Sequence, residues 1–145
     1  MKLAITGMLV ALLFAAALLA TFWTPYPVDG VAIADRFAAM SLAHPLGTDQ
    51  YGRDTLSMLM AGARTSLGVA AAAVAVGAVL GCAAGLAAAA SGGFAQTVLM
   101  RGSDLVFAFP ALITAAILAT IFGPGSLNAV IAIGLFNIPV FARLT

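Results

Sequence analysis

Thirty-six consecutive residues separate Arg64 from Arg101 without a single charged side chain. Such a stretch can be covered by water-soluble structure only if most of it is buried. The rest of the chain has too few polar side chains to do that covering. Hydrophobic residues make up 63% of the sequence and charged ones 8%, against roughly 25% charged in an ordinary soluble domain. Glu is absent and Lys2 is the only lysine. The solvent is therefore lipid, where a backbone must satisfy its own N–H and C=O groups, as helices do. The turn signal SGGF (Ser91–Phe94) divides the run and leaves 65–90 as one crossing, long enough to span with tilt.

Three further runs repeat the pattern. Leu3–Phe22 is free of charge for 20 residues, about the length of a spanning helix. A cleaved leader is the competing reading, given the basic start at Lys2. The run is long for a leader's apolar segment and ends without a small-x-small site. Trp23 and Tyr26 follow it as interfacial anchors. Leu105–Phe122 is the third run, GPGSLN (Gly123–Asn128) a tight loop, and Ala129–Ala142 the fourth, ending at Arg143. The expected fold is all-α: a polytopic membrane protein with helices at about 3–23, 65–90, 104–122 and 127–144. Residues 1–60 would hold the first helix and an external loop, and residues 61–145 the remaining helices. Charge does not orient them. Lys2, Arg101 and Arg143 fall on one side, and Arg36, Arg53 and Arg64 on the other. The positive-inside count is a tie.

The polar exception is HPLGTDQYGRD, His44–Asp54, which holds the only histidine and two of the five acidic residues. It invites a reading as an active or metal site. His44 has no second histidine or cysteine nearby, and the spacing of Asp49 and Asp54 fits no closed metal site. Cys82 is the only cysteine, so neither an intrachain disulfide nor a cysteine cluster can form. No G-x-x-x-x-G-K-[ST] loop or G-x-S-x-G elbow occurs. No catalytic residue, metal site or cofactor is expected in this chain. A net charge of +1 without a basic stripe excludes a nucleic-acid partner.

The loop's residues have structural uses instead. Gly47 and Gly52 punctuate turns. Asp54 is suited to cap the segment TLSMLMAGARTSL, expected as a short amphipathic helix at the membrane surface. Arg64 would end that helix as an interfacial anchor, with a transport role as the alternative. Gly77, Gly81 and Gly85 recur every four residues on one helical face, which suits a close helix–helix seam. Ala/Gly richness alone is the plainer account. Arg101 and Asp104, three apart, can pair on a helix, as an interfacial ion pair or as an orienting pair for a coupling region. Pro110 should bend its helix. Phe107, Phe109 and Asn137 are candidate pathway residues, with ordinary packing as the alternative for the two Phe. An interhelical hydrogen bond is the alternative for Asn137.

Four segments in order carry a resemblance: LGTD-x-x-GRD (Leu46–Asp54), GAR-x-SL (Gly62–Leu67), MR-x-x-D-x-x-x-AFP (Met100–Pro110) and FGPG-x-x-N (Phe122–Asn128). Over roughly His44–Thr145 the chain resembles the permease subunits of binding-protein-dependent ABC importers of the dipeptide/oligopeptide/nickel type. More narrowly, it resembles the branch with an elongated first periplasmic loop. The family-motif residues are Gly47, Thr48, Asp49, Gly52, Arg53, Asp54, Gly62, Ala63, Arg64, Arg101, Asp104, Phe109 and Pro110.

The resemblance implies the N-terminal part of a type I importer permease in the bacterial inner membrane, with a cytoplasmic N-terminus. It also implies a second permease, two ATPase subunits, and a periplasmic or lipid-anchored substrate-binding protein as partners beside the lipid bilayer. Transport of short peptides, or nickel, would proceed by alternating access, with ATP hydrolysed on the separate subunits. The family's E-A-A loop would begin where this sequence stops, at Thr145, so a fragment or partial gene model is expected, with a truncated gene product as the alternative. The rival readings are a small structural or assembly membrane protein, and a channel-like carrier without ATPase partners.

Overall fold

The structure, a computed structural model, describes residues 2–108 and 111–145 and, within them, every side chain except those at 95, 99, 100, 104, 107, 108 and 111. Among the described residues five α-helices follow one another: α1 (Lys2–Leu19), α2 (Thr55–Ser91), α3 (Gly93–Ala108), α4 (Ala111–Phe122) and α5 (Ser126–Leu144). A single 3-10 turn, Ile33–Asp35, interrupts the long segment between α1 and α2. Among the described residues there is no β-strand, only one isolated bridge between Thr48 and Asp54. The all-helical architecture agrees with the expectation from the sequence.

α1, α2 and α5 are long and apolar enough to cross a membrane, and Leu112–Phe122 is a shorter apolar helix. Their leucines, isoleucines and valines point outward in numbers no soluble surface would carry; Leu3, Val79, Ile121 and Leu127 are each at least two-thirds exposed. That distribution is costly in water and natural in lipid.

Two features differ from the sequence reading. The stretch after Asp54 is not a separate surface helix ending at Arg64. It forms the first turns of α2, which runs unbroken for 37 residues. No proline interrupts 55–91, and isolated glycines such as Gly62 and Gly68 only weaken a helix without ending it. At 1.5 Å per residue α2 is about 55 Å long, well beyond the roughly 30 Å hydrocarbon layer, so part of it stands outside the lipid. The segment after Gly92 is helical as well, as α3. SGGF breaks the chain for only one residue, with Gly92 and Gly93 both at positive φ (58° and 54°). The bend expected at Pro110 lies outside the described residues.

The chain divides into two compact units, Met1–Leu67 and Gly68–Thr145. In the second, α2 packs on α5 along a face whose buried residues are Ala73, Gly77, Gly81, Gly85 and Ala88. Glycine is what allows the approach. A β-carbon on Gly81 would lie 2.5 Å from the Ile138 carbonyl oxygen and 2.7 Å from Phe141 Cβ, and one on Gly85 2.6 Å from the Ala142 carbonyl oxygen. On Gly77 it would overlap Asn137 Cβ. α5 answers with its own small residues: Gly134 lies against Val76, and Ala132 and Ala142 are buried. With no hydrophobic drive between helices in lipid, such intimate van der Waals contact is the main source of association. α5 continues through the buried Pro139 to Leu144. The α4–α5 connection is closed by Asn128, whose side-chain amide donates to the Gly123 carbonyl at 2.6 Å.

Candidate functional site

The polar segment between α1 and α2 folds on itself. Residues 32–38 form a strap laid along residues 47–54. Ala32 N–H donates to the Tyr51 carbonyl at 3.0 Å, Phe37 N–H to Asp49 at 3.1 Å and Thr48 N–H to Ala38 at 3.1 Å. The Thr48 hydroxyl joins both sides, donating to the Asp35 carbonyl and accepting from Ala38 N–H. Gly52 (φ 74°) and Gly47 (φ 70°) turn the chain where the strap presses closest. A β-carbon on Gly52 would overlap the Ala32 carbonyl, and one on Gly47 would lie 2.7 Å from the Ala38 carbonyl oxygen.

Two carboxylates organise this loop. Asp49 accepts the Tyr51 and Arg53 backbone N–H groups at 2.8 and 2.9 Å on Oδ1. On Oδ2 it accepts the Arg53 Nε and Nη2 groups at 2.8 and 2.7 Å. The Arg53 guanidinium also stacks over the Tyr51 ring. Asp54 is buried at the start of α2 and caps it, accepting the Ser57 N–H at 2.8 Å and the Ser57 hydroxyl at 2.7 Å on Oδ2. Its Oδ1 meets His44 Nδ1 at 3.0 Å. The Ser57 hydroxyl oxygen accepts the Tyr26 N–H at 3.1 Å, and the Tyr26 ring lies 4.7 Å from that of His44. The chain leaving α1 is thereby fastened to the first turn of α2. Beside this hub a cleft of about 210 Å³ is lined by Tyr26, Gly30, Asp35, His44 and Asp54 among others.

Desolvation raises the pKa of both carboxylates, but their hydrogen bonds outweigh it. Ser57 and then His44 hold Asp54 below the ordinary value of 3.8. Arg53, with help from the Tyr51 amide, does the same for Asp49. A carboxyl held low in the folded state contributes stability that is complete above its unfolded pKa and lost as pH falls through the folded value. The loop should therefore keep constant protection from neutral pH down to about 5, then loosen below 3.8. Protection factors of the Tyr51, Arg53 and Ser57 amides in hydrogen exchange would show this. Loosening that begins above pH 5 would exclude the two carboxylates as its cause. Asp54→Ala should cost at least the ~1 kcal/mol of a lost N-cap, and selectively raise exchange at Ser57, whose N–H bonds to the Asp54 carboxylate.

The structure thus brings Gly47, Thr48, Asp49, Gly52, Arg53 and Asp54 into one folded loop. Gly62, Ala63 and Arg64 lie along α2, with Gly62 and Arg64 exposed. Arg101 is exposed on α3. The side chains of Asp104 and Phe107, and residues Phe109 and Pro110, lie outside the described residues, and with them the Arg101–Asp104 pair. Asn137 sits on the α2–α5 seam, its Cβ against Gly77. A separate apolar cavity of about 350 Å³ lies among α3, α4 and α5, lined by Val106, Thr114, Leu118, Ala132, Leu135 and Phe136 with Ile117. Among the described residues no three His, Cys, Asp or Glu side chains group to hold a metal. Sequence reasoning missed the roles of Ser57 and Tyr26. The Asp54-x-x-Ser57 spacing signals the former, because N-cap and N3 side chains meet. Nothing local signals the latter.

The fold and the loop define a multi-pass helical membrane protein with a structured extramembrane loop. The chain is 40% identical over 139 residues to the glutathione transport system permease protein GsiD of Pectobacterium atrosepticum, covering 95% of this chain and 46% of that protein. It is 42% identical over 100 residues to the di/tripeptide transport system permease protein DppC of Pseudomonas aeruginosa, covering 69% and 33%. With the dipeptide transport system permease protein DppC of Alkalihalophilus pseudofirmus it shares 35% over 144 residues, covering 99% and 47%. No family model matches the chain. These likenesses place it among the permease subunits of peptide-type ABC importers, and it spans about half the length of the curated relatives it matches.

Proposed function

We propose that this chain forms the N-terminal part of an importer permease that carries short peptides, glutathione included, across the bacterial plasma membrane. The observation that carries the reading is identity at 35–40% across nearly the whole chain with dipeptide and glutathione permeases. The closely packed α2–α5 pair and the folded external loop suit it. In this reading the N-terminus is cytoplasmic, the loop 24–54 is periplasmic, and four crossings are contributed by 3–23, 65–90, 104–122 and 127–144. A second permease completes the pathway, two ATPases supply energy, and a binding protein delivers substrate. The family-motif residues hold the loop and the cytoplasmic α3 region in place, and Phe107, Phe109 and Asn137 are pathway candidates. No chemistry is assigned to this chain itself. The charges lie near helix ends rather than in the middle of apolar runs, which disfavours an ion-coupled carrier.

The test is uptake. A strain lacking the full-length gene should lose uptake of labelled dipeptide or glutathione, and regain it on complementation only when the ATPase subunits are intact. Uptake that persists without any ATPase partner would refute the importer reading. Uptake of Ni²⁺ but not peptide would move the substrate to the metal branch.

A further inference from the structure

The loop between α1 and α2 is fastened down, yet apolar side chains of its strap and of the residues just after it are exposed. Ile33 is 75% exposed, Phe37 65%, Met40 75% and Leu42 fully exposed. The strap's backbone on the other edge is committed to residues 47–54 through the Ala32, Phe37 and Ala38 bonds. These four side chains are left largely exposed, and Phe37 meets the Arg36 guanidinium. Phe37 is also the one non-glycine residue at positive φ (53°) among the described residues. A bulky side chain rarely adopts that conformation, and strain of this kind persists only where surrounding bonds impose it. Here the Phe37 N–H bond to Asp49 and the flanking Ala38 bonds impose it, and the result is an outward phenylalanine with the Arg36 guanidinium 5.1 Å from its ring centre.

What covers this edge follows from where the strap is tethered. The chain leaves α1 through Phe22 and Trp23, both exposed aromatics at the end of an apolar helix. Tyr26 is then tied to Ser57 in the first turn of α2. The loop is thus pinned at both ends to the mouths of membrane helices, and Ile33 lies within about 25 Å of chain from Tyr26 even if fully extended. Aromatics beside arginine, an apolar body with a charged tip, are the side chains that settle at headgroup level. We propose that the strap and the residues after it, Ile33–Leu42, rest in the lipid interface, their apolar side chains in the upper acyl region and Arg36 on a lipid phosphate. The proposal depends on α1 and α2 spanning the bilayer, and not on the importer reading.

Single-tryptophan reporters test it in the full-length protein held in lipid nanodiscs. In a background where Trp23, the only tryptophan of this sequence, and any tryptophan outside it are replaced by Phe, Phe37→Trp and Leu42→Trp are compared with Gln50→Trp on the opposite segment. With lipids brominated just below the glycerol backbone, the first two should lose about half their emission and the third little. Leu42 packs against nothing, so its replacement leaves the fold intact even if Phe37→Trp disturbs it. Equal quenching at all three positions, or none at 37 and 42, would overturn the proposal. Emission at 37 and 42 that ignores the bromines but shifts on adding the system's substrate-binding protein would overturn it in favour of a protein-docking face.

Discussion

Replacing Gly81 by leucine should separate α2 from α5 and leave a protein that no longer survives extraction in a folded form. The reason is what the new side chain would meet. A β-carbon alone would stand 2.5 Å from the Ile138 carbonyl oxygen and 3.1 Å from the Ala142 amide nitrogen. Both are backbone atoms of a helix, which cannot rotate aside as a side-chain tip can. The helices must move apart, and the contacts at Gly77–Asn137 and Gly85–Ala142 open with them. Overpacking commonly costs about 1–3 kcal/mol; here the loss spreads along the whole seam and should reach or exceed the top of that range. Gly62→Leu is the control. Nothing lies within 4 Å of a β-carbon there, and removing a helical glycine favours the helix by up to ~1 kcal/mol. Thermal stability by size-exclusion chromatography of fluorescently tagged protein should fall steeply for Gly81→Leu and hold or rise for Gly62→Leu. Equal behaviour of the two would mean that α2 and α5 do not pack through the glycines.

Gly52→Ala should unlatch the loop between α1 and α2 while leaving the membrane helices folded. Two costs add at this residue. Alanine at φ 74° is strained wherever it occurs, by about 1 kcal/mol. At Gly52 the β-carbon would also overlap the Ala32 carbonyl, so the strap must lift and the Ala32–Tyr51 hydrogen bond must break. Gly123→Ala separates the two costs, because Gly123 has φ 83° and open space around its β-position. Limited proteolysis should cut the loop of Gly52→Ala at least tenfold faster than that of the parent, a change of about 1.4 kcal/mol in opening. Gly123→Ala should leave the loop's cleavage unchanged. Resistance of Gly52→Ala to cleavage would mean that the strap is not held where it lies.

Much of this was legible in the sequence because the signal was compositional. Charge-free runs state their solvent, and the fourth of them, Ala129–Ala142, lies inside α5, Ser126–Leu144. Gly77, Gly81 and Gly85 could be named as one face from spacing alone, since four residues make little more than one helical turn. The surface helix expected at 55–64 was less legible. Amphipathic spacing is the same whether a helix lies on a membrane or continues into it, and only the absence of a break decides that.

By itself the sequence determined that the chain is helical and lives in lipid, and which ordered motifs place it beside the peptide permeases. These depend on residue types and their order, which are local quantities. The tertiary structure alone decided what the glycines face, why Gly52 tolerates no side chain, and that Asp54 joins His44, Ser57 and, through Ser57, Tyr26. The bond between Ser57 and Tyr26 spans 31 residues. No local pattern encodes such a pairing, because it is selected by the free energy of closing the whole loop rather than by the preference of any segment within it.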